Sequence, residues 1–232
     1  MRSVGRAAAA EFVASFALIV VGAGAVIAQA NGRLDLTGVA LANGLIFAAM
    51  VSVTAHLSGG VVNPAVAIGL WVAGRLETLR AAIFVAAEVL GAVAGAFCLK
   101  FLLPSAAFAP GGGGTALAVG VAPGRGLLME AVATFLLVFA VFGTRVDDRA
   151  RLHSAAGLTI GLVVAVDIMT FGPWTGAALN PARWFGPALV TGSWADGWVW
   201  LMGPAAGGVV AALVYRAVFL GEPEPASTDA TS

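Results

Sequence analysis

Charge is scarce in this chain. Aspartate, glutamate, lysine and arginine make up 10% of its 232 residues, against 60% for the apolar set. Soluble domains carry nearer a quarter charged residues, so this one lacks the polar surface to keep so much apolar side chain from water. The charges cancel to a formal net of zero, which argues against a nucleic-acid partner. Cysteine is nearly absent: Cys98 alone excludes an internal disulfide and a cysteine-built metal site. Histidine is limited to His56 and His153. With no nucleophile–base pair and no metal cluster, the pattern offers nothing for enzyme chemistry, and no metal or cofactor is expected.

What the chain has instead is length of apolar sequence. Stretches close to the roughly 20 residues of a membrane span occur six times, at about 8–29, 36–57, 79–103, 126–144, 154–173 and 196–220. Two shorter segments, about 64–73 and 181–190, reach only halfway through a bilayer at about 1.5 Å per residue. The expected fold is an all-α membrane protein of six transmembrane helices and two re-entrant half-helices. Three spans and a half-span make each half. Three is odd, so the second half enters from the opposite side, as an inverted repeat. A single transmembrane channel domain is expected over 1–225, with repeats at about 7–103 and 126–220. The tail 221–232, rich in Pro, Glu, Ser and Thr, reads as a disordered end.

Arg2, Arg6 and Ala28-Gln29-Ala30 around the first apolar run imitate a cleavable leader. Glu11 at the start of that run, matched by Glu130 in span four, argues for a retained span. With both termini cytoplasmic, Arg2, Arg6, Arg75, Arg80, Arg145, Arg149, Arg151 and Arg216 face inside, and only Arg33, Lys100 and Arg125 face outside. That distribution follows the positive-inside rule. Short loops and tails and an Ala- and Gly-rich composition suggest a bacterial-type protein of the inner cell membrane.

The triplet Asn-Pro-Ala occurs twice, at Asn63-Pro64-Ala65 and Asn180-Pro181-Ala182, and its surroundings repeat at the same offset: Ser58-Gly59 with Thr175-Gly176, Gly44 with Gly161, Gly69 with Gly186. Asparagine is a favoured helix N-cap, and proline suits the first helical position because its missing N–H would be unpaired there anyway. Each triplet therefore reads as a loop turning into a helix in mid-membrane. Loop backbone is tolerable at that depth where it lines a water-filled path. Two such starts meeting at the centre make a narrow pore, with loop carbonyls as acceptors and the Asn63 and Asn180 amides as donors. Both positive helix ends point at that centre and oppose a cation or proton.

These residues carry a resemblance to the aquaporin, or major intrinsic protein, family across roughly residues 7–220. His56-Leu-Ser-Gly-Gly-Val-Val-Asn63-Pro-Ala-Val resembles its first signature, and Gly172-Pro-Trp-Thr-Gly-Ala-Ala-Leu-Asn180-Pro-Ala-Arg183 its second. The resemblance implies water and small neutral solutes as partners, a lipid bilayer as surroundings, and a homotetramer of four pores. Glu11 and Glu130 match the family's buried glutamates. Such carboxylates can form a proton relay, but their paired placement fits better with accepting N–H bonds from the re-entrant loops, with Glu88 as a further support and His56 as a loop-holding hydrogen bond or a pH gate. The family's selectivity filter falls on Asn43, Ile168, Ala177 and Arg183.

Those four depart from the family's patterns. Strict water channels have an aromatic at the first position and His at the second, and glycerol facilitators have aromatics at the first and third. Ile168 and Ala177 resemble the plant vacuolar-type members, which pass water and often small neutral solutes. Flanking Trp184 matches neither type, Ala188 resembles the water channels, and Trp200-Leu201 is half and half. A passive channel for water and small neutral solutes is the leading expectation. The alternatives are a glycerol, urea or ammonia facilitator with water secondary, and a proton-coupled transporter using Asp167. Asp167 has three open placements: against Arg183, against Asn43, or at a subunit interface. Ala177 replaces the mercury-reactive cysteine of some members, so weak mercury inhibition is expected unless Cys98 is reachable.

Overall fold

The computed structural model describes residues 2–109, 111–150 and 153–220, with side chains from residue 4 onward. Arg151 and the tail 221–232 lie outside the described residues. Among the described residues, six helices are long and apolar enough to cross a membrane. In chain order, with the two half-helices, the elements are α1 (Val4–Ala30), α2 (Leu36–Thr54), the half-helix α3 (Pro64–Val72), α4 (Thr78–Leu102), α5 (Pro123–Val146), α6 (His153–Thr175), the half-helix α7 (Pro181–Thr191) and α8 (Trp198–Val218).

The ends of these helices follow from local chemistry. Asp35 caps α2 by accepting from the Gly38 N–H at 2.7 Å, and Pro123 opens α5 at a position where its missing N–H costs nothing. Helix α2 stops at Thr54, three residues before the apolar run ends. There the Thr54 carbonyl accepts from the N–H groups of both Leu57 and Ser58, and the chain turns back into the membrane. Within α1 the stretch Ile19–Ala23 is a π turn, a feature frequent where a helix serves a site.

Packing relates the halves to each other. Helix α1 lies along α4, and α5 lies along α8 in the same way. The half-helices are exchanged: α3 of the first half packs on α8, and α7 of the second half packs on α4. Helices α2 and α6, the remaining equivalent pair, cross each other. They touch backbone to backbone, since a Cβ on Gly44 would stand 2.5 Å from the Gly161 carbonyl oxygen. Glycine is needed there for close approach. Leu45, Leu90, Leu162 and Leu213 are exposed on the outer surface of the bundle, the face that hydrocarbon covers. Trp71, Trp194 and Trp198 are also exposed near helix ends, where an interfacial belt places them. Trp184 and Trp200 are buried instead, with stacked rings 6.3 Å apart.

At the end of α5, Asp147 ties two helices together. It accepts from Arg149 Nε at 2.9 Å and Nη2 at 2.7 Å, and from the Tyr215 hydroxyl of α8 at 3.1 Å. The Arg149 guanidinium also donates to the Phe219 carbonyl. The hydrogen bonds from Arg149 hold the Asp147 carboxyl well below the usual carboxylate range. A depressed folded pKa means stability that is full above the unfolded value of about 3.9 and is lost as pH falls toward the folded one. Asp147→Asn is therefore expected to lower the melting temperature in detergent at pH 6 and to remove part of the wild-type loss of stability below about pH 4. Melting curves of both proteins across pH check this.

Candidate functional site

The two re-entrant loops are built alike, residue for residue. In the first, Glu11 accepts from the N–H groups of Val61 at 3.0 Å and Val62 at 2.5 Å. In the second, Glu130 accepts from Ala178 at 3.0 Å and Leu179 at 2.9 Å. Ser58 Oγ accepts from Gly60 N–H, and Thr175 Oγ1 accepts from Ala177 N–H. Three glutamates, Glu11, Glu88 and Glu130, are fully buried.

These contacts offset a strained backbone. Gly59, Gly60 and Val62 have positive φ in the first loop, and Gly176, Ala177 and Leu179 in the second. Glycine takes such angles freely, whereas a β-branched valine at φ 58° costs about 1–3 kcal/mol. Each N–H left unpaired in this buried setting would cost about 1–3 kcal/mol as well, so the donors held by each glutamate offset the strain. The second loop carries two strained non-glycine residues, and Glu130 has a third bond there, from Thr175 Oγ1 at 2.7 Å. The first loop adds Glu88 instead, which accepts from Asn63 N–H at 3.0 Å.

The left-handed turn at Val62 and Leu179 aims each carbonyl across the centre. Asn63 Nδ2 donates to Leu179 O at 2.8 Å, and Asn180 Nδ2 donates to Val62 O at 2.9 Å. Each asparagine also caps its own half-helix: Oδ1 of Asn63 accepts from Ala65 N–H, and Oδ1 of Asn180 from Ala182 and Arg183 N–H. A primary amide has two N–H donors, so each asparagine keeps one for a guest. The carbonyls of Gly60, Val61, Ala177 and Ala178 accept no hydrogen bond among the described residues. They remain acceptors for water.

Asn43, Ile168, Ala177 and Arg183 line one cavity with Asn63 and Asn180, its other walls including Leu18, Phe47, Leu137 and Val164. It offers about 20 Å³ to the centre of a water molecule, and a single water needs about 10–15 Å³ of such room. Arg183 is buried, and its Nη1 has no hydrogen-bond partner within the protein. Asn43 is less available. Its Nδ2 donates to Val39 O at 2.9 Å and to Gly22 O at 3.3 Å, the latter a carbonyl of the π turn in α1.

One expectation needs correction, and one question left open narrows. His56 is exposed, and its side chain makes no hydrogen bond among the described residues; Ser58, Glu11 and Glu88 hold that loop in its place. Asp167 is buried but pairs with neither Arg183 nor Asn43, and its Oδ2 has no partner. It is also not among the residues lining that cavity, because it lies one position round the helix from Ile168. Trp200 does more than its sequence position suggested: its Nε1 donates to Thr175 O at 3.0 Å and steadies the second loop.

The family model described as major intrinsic protein matches residues 2–215. This chain belongs to the major intrinsic protein family. Among curated members it is 44% identical to the aquaporin TIP4-4 of Zea mays, over 97% of this chain and 92% of that one. It is 38% identical to the probable aquaporin TIP2-1 of Oryza sativa subsp. japonica, over 95% and 90%. Among solved structures, the aquaglyceroporin from Plasmodium falciparum superposes with a TM-score of 0.84 at 26% identity, covering 93% of this chain and 96% of that one.

For a major intrinsic protein the glutamates should be the limiting supports of the pore. Glu130→Ala would leave two backbone N–H groups and a threonine hydroxyl unpaired, a cost of at least about 3 kcal/mol. Glu130→Gln, which keeps one acceptor oxygen, should lose less. Unfolding of both variants in a mild detergent, followed by size-exclusion recovery, checks the order.

Proposed function

We propose that this channel conducts water first and passes small neutral solutes with it, through the filter formed by Asn43, Ile168, Ala177 and Arg183. The chain is a passive channel of the water and small-solute class. The observation that carries the finer reading is the filter cavity, with room for about one water centre. Water there meets the unpaired Nη1 of Arg183, then the spare N–H donors of Asn63 and Asn180.

Proton and ion exclusion follows from the same parts. Half-helices α3 and α7 aim their positive ends at the paired asparagines, which raises the energy of a cation there. Central water that accepts from Asn63 and Asn180 is also turned away from a continuous donor chain.

Small neutral solutes enter through the apolar wall. Ile168 and Ala177 present no hydrogen-bonding side chain, and the Asn43 amide nitrogen is occupied by backbone carbonyls. The filter therefore discriminates weakly against guests part-apolar in character, which favours the glycerol, urea and ammonia alternative as a secondary activity. We read the protein as a channel rather than an enzyme, as one pore domain over 1–225, assembled as a homotetramer. The arginine distribution supports placing both termini in the cytoplasm and the protein in the cell membrane.

Proteoliposomes in stopped-flow light scattering test the reading. Fast shrinkage in an impermeant osmolyte is expected, with a smaller but measurable entry of glycerol. Arg183→Ala should raise the glycerol-to-water ratio at least about threefold, since a charged donor worth about 1.5–3 kcal/mol is removed. Glycerol at the rate of empty liposomes in both proteins would overturn the solute part. Asp167→Asn should leave water flux unchanged and create no proton leak, measured with a pH dye; a proton flux in the wild type that vanished in this variant would instead establish the transporter.

A further inference from the structure

A second cavity, of about 330 Å³, lies on the Ser58 side of the first re-entrant loop, within the roughly 300–1,000 Å³ range of small-molecule sites. Three arginines, Arg75, Arg80 and Arg145, line it together with Gly60 and Val61 of the loop and apolar side chains that include Leu70 and Val141. They come from three places in the chain: the end of the loop after α3, the first turn of α4 and the last turn of α5. No acidic side chain lines the cavity. Among the described residues none of the three arginines forms an ion pair, and Arg80 Nε is buried without a hydrogen-bond partner. The Arg80 guanidinium is held 5.2 Å above the Phe84 ring, which fixes its position without satisfying its donors. Glu11 is behind the loop, with both oxygens occupied by Val61 and Val62.

Guanidinium groups stay charged at any physiological pH and present donors in a planar fork that matches phosphate oxygens. Three of them in one concave, partly desolvated cleft concentrate positive potential there. The geometry points to a binding site for a phosphate group in this mouth of the pore. The group is either free, as inorganic phosphate or a phosphomonoester, or the headgroup of an anionic lipid. Because Gly60 and Val61 belong both to this cavity and to the loop leading to Asn63, an occupied site obstructs the water path. Binding does not depend on the water-channel reading, whereas obstruction rests on it.

Two readouts separate these claims. Purified protein in neutral detergent is titrated with sodium phosphate at pH 7.5, with ionic strength held constant by sodium chloride. The melting temperature is expected to rise with phosphate, and Arg75→Gln combined with Arg145→Gln is expected to weaken the midpoint at least about tenfold. In phosphatidylcholine proteoliposomes, phosphate on both sides should lower the wild-type water permeability, each variant being compared with itself in chloride. A fall seen only when phosphatidic acid is added to the vesicles, and lost in the double variant, assigns the site to a lipid headgroup and supports the inference equally. Wild-type melting temperature and flux that are indifferent to both phosphate and phosphatidic acid overturn it, whether or not the double variant folds. Stabilisation without any change of flux overturns the obstruction alone. Protein that conducts no water in any condition refutes the channel reading, while the melting titration still decides the anion site.

Discussion

Each asparagine of the two triplets holds the backbone of the other loop, and that crossed pair of hydrogen bonds fixes where the half-helices meet. The bonds form only because Val62 and Leu179 adopt left-handed backbone angles that swing their carbonyls across the centre. Those angles persist because Glu11 and Glu130 hold the adjoining N–H groups from behind. The chain of dependence thus runs from two buried carboxyl groups to loop strain, then to the asparagine positions and the water path. Buried carboxyl groups inside a membrane usually signal transport of charge. Here their hydrogen bonds show a mechanical role.

Much of this was legible in the residues. Low charge and six apolar runs indicated a membrane fold, and the duplicated triplet with its matching neighbours indicated two inverted halves. Glu11 and Glu130 stood out because a carboxyl group inside an apolar run requires partners, and unpaired loop N–H groups are the nearest candidates. The left-handed angles were not legible. Position-specific strain is ordinarily marked by glycine or asparagine, yet valine and leucine occupy these sites, and only the surrounding hydrogen bonds make them tolerable. Asn43 was pointed to by the resemblance to the family, but its engagement with Gly22 depends on a π turn in α1 that leaves no clear periodic trace. Arg75, Arg80 and Arg145 were read separately as markers of orientation; their convergence on one cavity depends on how α4 and α5 pack.

The halves match at the centre and differ at the edges. Offsets of equal size relate Ser58 to Thr175, Val62 to Leu179 and Asn63 to Asn180, and their hydrogen bonds match too. Outside that core the first loop relies on Glu88 and the second on Thr175 and Trp200. The second loop and the half-helix after it also supply Ala177 and Arg183 to the central cavity, and that loop carries two strained non-glycine residues against one in the first. Its added supports are the Thr175 hydroxyl, which donates to Glu130 of α5, and the Trp200 indole of α8.

The exchange of half-helices has a consequence for biogenesis. Helix α3 rests on α8, with Gly69 placed against the Gly208 backbone, so an early segment depends on the last span to leave the ribosome. Until α8 arrives, the first re-entrant loop lacks its main neighbour and must wait at the insertion machinery or in a provisional position. Contacts so distant in sequence slow folding, because a long loop is closed before any contact rewards it. Completion of the pore therefore waits for the two halves to dock on each other rather than proceeding as each is threaded into the bilayer.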